Sequence, residues 1–225
     1  MNNIYISPSQ QGNNVGYGSY GTEQNRMFQV GEALKIILTR CNQTVYISKK
    51  GMTFQQAVTE SNKLDVDIHL AVHSNAFNSL IRGTLAMYVS DGGKSLSSVI
   101  YKRLSAFTPI VDRGCKHKTN LYELNATTAV CSYLEIMFHD SPLDSILIIN
   151  NIEKLAELIA MGVCEYLKIP YVEKPVAKIN LVLETQKFLN SLWVTDAKGN
   201  ELLKDGIMGA NTQYAIDKLR RALND

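Results

Sequence analysis

Three side chains have types and positions suited to hydrolytic chemistry: Glu23, His73 and Glu135. Glu135 lies inside an otherwise apolar run, Tyr133-Leu-Glu-Ile-Met-Phe138. A charged, buried and unpaired carboxylate costs several kcal/mol. It therefore needs a metal, a base or a cavity beside it, unless its face lies exposed on an edge strand. His73 stands where the apolar stretch Asp67-Ile-His-Leu-Ala-Val-His73 gives way to the polar Ser74-Asn75. Glu23 follows Thr22 at the start of a helical pattern. One histidine and one carboxylate on a divalent metal, with a second carboxylate moving protons, is an arrangement that hydrolases use. Taken alone, His73 reads as an ordinary core histidine. The combination with Glu23 and Glu135 makes it a metal candidate.

The elements that must position these groups follow from periodicity. In the 67–76 strand, alternation sends Asp67, His69, Ala71 and His73 to one face and Ile68, Leu70 and Val72 to the other. His69 lies two residues before His73, roughly 6–7 Å along a strand, and reads as structural. Ile4-Tyr5-Ile6 is a short strand that Pro8 ends. The Gly/Asn/Tyr-rich stretch 12–21 suits a mobile, solvent-facing loop. Met27, Val30, Leu34, Ile37 and Leu38 recur at helical spacing after the Thr22 cap. Further strands are expected over 44–48, 82–89 and 130–138. In the last of these, Tyr133, Glu135 and Met137 share a face. Helices are expected over 53–64 and 94–107, and over 147–167 with a possible break at Asn150-Asn151. His139 is placed to line the site, whereas His117, between Lys116 and Lys118, reads as surface.

This alternation of strands and helices implies an α/β fold, with a mixed, mainly parallel sheet covered by helices on both faces. The domain is expected to span 1–168. A linker over 169–178 contains Pro170 and Pro175 and has no periodicity. Residues 179–225 form a small C-terminal unit, expected to be a three-helix domain. Its turns are Asp196-Ala-Lys-Gly-Asn200 and Asp205-Gly-Ile-Met-Gly209. A core this small suits binding better than catalysis.

Composition narrows the partners. Of the 225 residues, 45% are hydrophobic and 20% charged, and the net charge is +2. That charge, with no Lys/Arg block, argues against nucleic acid. No apolar run is long enough to insert in a membrane. The N-terminus has neither the charged nor the apolar region of a signal peptide, so the chain is expected to be made in the cytoplasm. Cys41, Cys115, Cys131 and Cys164 form no metal-binding spacing and read as reduced, structural thiols.

Several blocks together resemble the zinc N-acetylmuramoyl-L-alanine amidases of the amidase-3 family, in particular clostridial and phage endolysins and autolysins. These blocks are Ile-Tyr-Ile-Ser-Pro-Ser-Gln-Gln (4–11), Gly-Thr-Glu (21–23), Val-His-Ser-Asn-Ala (72–76), Arg-Gly-Thr (82–84) and Leu-Glu-Ile-Met-Phe-His-Asp (134–140). The resemblance covers residues 1 to about 168. It implies Zn2+ as cofactor and bacterial peptidoglycan as partner, with action on the cell wall and lysis of bacteria. It makes Glu23 and His73 metal ligands and Glu135 the catalytic residue, and leaves Asn75 to orient substrate. The family's first histidine ligand is missing. Ser7-Pro8-Ser9-Gln10 stands in its register, followed by Gln11, and either amide could coordinate weakly. Gln11 is preferred, because relatives with a Ser-Pro-Ser-x-Gln opening share that position. The C-terminal unit resembles a small peptidoglycan-binding domain through Thr185-Gln186, Leu189-Asn190, Asp205–Gly209, Thr212 and Ala215-Ile216. The competing reading is a non-catalytic peptidoglycan-binding protein with a degenerate amidase site.

Overall fold

The computed structural model describes residues 1–108, 113–175 and 180–224. They fall into two compact units, 1–173 and 174–225. The first holds a six-stranded sheet. Its strands are β1 (Asn3–Pro8), β2 (Thr44–Ile47), β3 (Ile68–Asn75), β4 (Leu85–Tyr88), β5 (Cys115–His117) and β6 (Val130–Phe138), in the order β2-β1-β3-β6-β4-β5. All neighbours run parallel except β4 and β6, which are antiparallel. The sheet is thus mixed and mainly parallel, as the alternating pattern implies.

Parallel strands need helical crossovers, and these cover both faces. Helices α1 (Glu23–Arg40), α3 (Asp91–Phe107), α5 (Pro142–Asn150) and α6 (Ile152–Leu167) enclose the main core with Ile4, Ile6, Ile68, Leu70, Val72, Leu134 and Ile136. The opposite face carries Tyr5, His69 and Met87, under α2 (Phe54–Lys63) and the short α4 (Tyr122–Ala126). The α2 start is fixed by a reciprocal cap: Thr53 Oγ1 accepts from Gln56 N, and Gln56 Oε1 accepts from Thr53 N.

The 147–167 pattern resolves into two helices. Asn151, at φ −134°, interrupts the helical backbone between them, and Pro142 at the first turn of α5 starts the pair earlier than periodicity suggests. Strict alternation fails at the end of β6. The β3–β6 register shifts between His73 and Asn75, so Ile136 and Met137 are both fully buried in the main core. The 12–21 loop is mostly solvent-facing, but it is anchored. Tyr20 is fully buried, its hydroxyl 2.7 Å from Ser74 Oγ, and Tyr17 N donates to His139 O.

Where α3 crosses α6, a Cβ on Gly162 would sit 2.7 Å from Ile100 Cα. Backbone cannot yield as a side-chain tip does. Gly162→Ala is expected to destabilise the first unit by about 1–3 kcal/mol. Equilibrium denaturation would show it, and a loss below about 0.5 kcal/mol would contradict the close approach.

The second unit carries two helices among its described residues, α7 (Leu181–Ser191) and α8 (Ala210–Asn224). The segment between them runs as turns. Asp196 accepts from the backbone of Lys198 and Asn200. The buried Gln186 ties Asp205, Gly206, Ile207 and Thr212 together. Leu189, Leu202 and Ala215 make its thin core. Residues 176–178 of the expected linker, and Ile179, lie outside the described residues. Ile169 and Tyr171 pack on the core of the first unit.

Candidate active site

Parallel strands align their carboxyl ends, and ligands in such sheets bind at that edge. Here that edge collects Ser7 of β1 and His73 of β3, with Glu135 of β6 directly beside His73 in the β3–β6 register. The Thr22 cap aims the first turn of α1 at the same edge and brings in Glu23, which is fully buried. Glu23 Oε1 lies 3.0 Å from His73 Nδ1 and 3.3 Å from Ser74 N, and Glu23 Oε2 accepts from Asn14 Nδ2 at 2.7 Å. The three residues singled out from sequence therefore meet.

A fourth acid joins them. Glu123, on α4, is buried with Oε2 3.4 Å from His73 Nε2 and Oε1 3.3 Å from His69 Nε2. Ser7 Oγ donates to Glu123 Oε1 at 2.6 Å, and Ser61 Oγ lies 2.9 Å from His69 Nδ1. A continuous polar chain thus runs Ser61–His69–Glu123–His73–Glu23–Asn14 through the unit. His69 is fully buried and is part of this chain. Sequence reasoning missed Glu123, which sits in the short Leu121-Tyr-Glu-Leu-Asn125 segment. The available signal was His69 itself: two histidines on one buried strand face call for an acid between them.

Electrostatics separate the acids into two kinds. Burial opposes charge on all of them. At Glu123, hydrogen bonds from His69 and His73 overcome it and hold the carboxyl down at about 2. At Glu23 burial is likewise outweighed, chiefly by the bond from His73, and its pKa is lowered. Burial also acts to lower the His73 pKa, but Glu123 and Glu23 on its two nitrogens push it up to about 10. Glu135 is the reverse case. Burial dominates, and its pKa rises to about 7. Its Oε2 is buried without a hydrogen-bond partner. Such a carboxyl changes charge near neutrality, which a general acid–base group requires.

His139 is fully buried, stacked on Tyr20 with Nδ1 2.9 Å from Ser74 Oγ. It supports the site edge. His117 is exposed, as expected, beside Tyr88. A cleft of about 680 Å³ opens over the site, lined by Gln11, Phe54, His73, Tyr122, Glu123 and Tyr133 among others. Asn75 does not line it. That residue faces a separate pocket of about 320 Å³ with Phe77, Arg113 and Phe138.

The Zn2+ that the resemblance implies wants imidazole and carboxylate donors, typically three from the protein in a catalytic site. Glu23 and His73 fit as two of them. Gln10 does not fit as a third. Its Oε1 accepts from Gly51 N and Gln24 Nε2, and its Nε2 donates to Ser48 Oγ and Lys49 O. Gln11 is exposed in the cleft wall. Among the described residues no group of three His, Cys, Asp or Glu side chains is placed to hold a metal. A cation between Glu23 and His73 must also displace the proton that their pairing favours.

Solved structures share this architecture. The catalytic domain of CwlV, an N-acetylmuramoyl-L-alanine amidase from Bacillus (Paenibacillus) polymyxa var. colistinus, superposes with a TM-score of 0.70 at 20% identity, over 76% of this chain and 100% of its own. An N-acetylmuramoyl-L-alanine amidase from Clostridium difficile 630 gives 0.67 at 23% identity, over 74% and 97%. The catalytic domain of the CD27L endolysin, which targets Clostridium difficile, gives 0.64 at 20%, over 73% and 98%. No curated protein sequence matches the chain. The family model for N-acetylmuramoyl-L-alanine amidase matches residues 4–165, well over half of the sequence, and the chain therefore belongs to the N-acetylmuramoyl-L-alanine amidase family.

Proposed function

We propose that this protein hydrolyses the amide between N-acetylmuramic acid and L-alanine in bacterial peptidoglycan, acting as an endolysin or autolysin. Glu135 carries the reading: a carboxyl with a pKa near neutrality and an unpartnered buried oxygen, in register with His73, which lines the cleft. Its ionised form takes a proton from the attacking water, and the acid so formed returns it to the leaving amine. Glu23 and His73 would hold Zn2+, with Gln11, exposed in the cleft wall, as the further donor. When bound, the metal polarises the scissile carbonyl and acidifies water. Phe54 and Tyr122, in edge-to-face contact 5.6 Å apart, form an apolar wall for substrate. Asn75 contacts substrate outside the main cleft, from its own pocket. The 174–225 unit binds the cell wall.

One observation favours the alternative of a wall-binding protein without catalysis: Gln10 is committed to the 48–51 backbone. Mass spectrometry of digested peptidoglycan separates the readings. Release of stem peptides with free N-terminal L-alanine is the expected result. An unchanged wall, with no zinc bound to protein purified without chelator, would establish the binder instead.

A further inference from the structure

Glu123 belongs to none of the roles assigned so far, yet it is buried and held by three side chains. It comes from α4, a five-residue helix whose next residue, Leu124, is buried with Met87 and Cys131. Asn125 Nδ2 donates to Thr119 O and Leu121 O and closes the segment around the helix. This anchoring turns the Glu123 carboxylate inward, where three side chains meet it. Ser7 and His69 engage Oε1, and His73 Nε2 faces Oε2. His69 is itself fixed, stacked on Tyr5 with ring centroids 5.4 Å apart and with its Nδ1 on Ser61. Ser7 and His69 thus hold Glu123 in place, and Glu123 is held against His73.

On His73 the two nitrogens have separate acceptors. Tyr133 stacks on the ring at 4.4 Å and sets its plane. Nε2 meets Glu123 at 3.4 Å and Nδ1 meets Glu23 at 3.0 Å. An imidazole that binds a metal through one nitrogen is commonly held by a carboxylate on the other, which fixes its tautomer and ring direction. We propose that Glu123 is the positioning residue of this site. It retains the proton on His73 Nε2, so that Nδ1 is left to the Glu23 side, where these two residues would hold a cation. The inference rests on the metal reading above and extends it to a residue on a different element. It also accounts for His69, whose burial next to an acid otherwise serves no part of the site.

The test uses the full chain and two measurements. Metal-free protein is titrated with Zn2+ alone against a fluorescent chelator. Glu123→Gln, which keeps size but removes the charge, is expected to weaken zinc binding 10- to 100-fold, with the thermal midpoint within a few degrees of the parent. Equal affinity would overturn the role. The second measurement needs no metal. In metal-free wild type, nitrogen-15 NMR of the imidazoles is expected to show a slowly exchanging proton on His73 Nε2, absent in Glu123→Ala. A His73 without a proton on Nε2, or one whose Nε2 proton persists unchanged in Glu123→Ala, would overturn it. If wild type takes up no zinc, the metal reading fails by itself, and the imidazole proton alone decides whether Glu123 positions His73.

Discussion

Glu135→Gln is expected to lower amide hydrolysis by about 10²–10⁴-fold and, in the same protein, to make the first unit more stable. The two effects have one cause. Glu135 Oε2 is buried without a partner, and burial lifts the carboxyl from 4.5 to about 7. The sign follows from linkage. Below pH 4.5 the carboxyl is protonated both folded and unfolded and contributes no difference. Between 4.5 and 7 the unfolded chain ionises first, so stability falls as pH rises. Above 7 the folded state carries the full cost of a buried charge. A glutamine has no charge to bury, so its advantage grows across that window and then stays constant. Part of the Glu135 side chain reaches solvent, which screens the effect. An increase of about 1–3 kcal/mol at pH 8 is the expected size, a shift of a few degrees in thermal midpoint. Parent activity should rise through neutral pH as the base form appears. Thermal unfolding at pH 4 and pH 8 checks the stability half. A glutamine variant no more stable than the parent at pH 8 would mean that Glu135 is not desolvated, and full lytic activity in it would remove Glu135 from the mechanism.

His73→Ala has the opposite effect on stability. His73 lies between two carboxylates, Glu23 and Glu123, both buried. Deleting the imidazole leaves two acids that burial penalises and that have lost their shared cation. Breaking one partner of a buried ion pair costs about 3–5 kcal/mol, a large part of a domain's whole stability. The pH window is defined by the shifts. Glu23 and Glu123 are lowered from 4.5, so their contribution is present above that value and is lost as pH falls through their folded values. His73 is raised from 6.5 to about 10, so its contribution is complete below 6.5 and lost as pH approaches 10. The penalty for removing His73 is therefore greatest between about pH 4.5 and 6.5. Denaturant melts of parent and variant at pH 6 measure it. A difference under 1 kcal/mol would show that the chain of polar contacts is not built around this ring.

The site was legible in the sequence wherever a polar residue breaks an apolar pattern. Glu135 interrupts a buried strand and His73 ends one. Glu23 follows a capping threonine. Each is visible because local periodicity makes its position anomalous. Glu123 has no such background. The segment Leu121-Tyr-Glu-Leu-Asn125 is too short to carry a period, and the packing of Leu124 against β4 and β6 turns the acid inward. The same limit applies to Met137. Alternation places it with Glu135, but the register shift beside Asn75 sends it into the main core, and a bulge is set by pairing between strands far apart in the chain. The sheet and its flanking helices followed from alternation alone, whereas the three-residue β5 and five-residue α4 are too short to carry a period.

Gln10 couples two properties that could otherwise vary independently. Its side chain joins the end of β1 to Ser48, Lys49 and Gly51, the segment that leads from β2 into the wall of the cleft, and to Gln24 on α1. Replacing it with histidine would add an imidazole at the expected ligand position and, in the same step, deprive that wall of the amide that holds it. Donor set and cleft shape are therefore inherited together. A route from this site to one with three protein ligands requires compensating changes around residues 48–51 before, or with, the change at position 10.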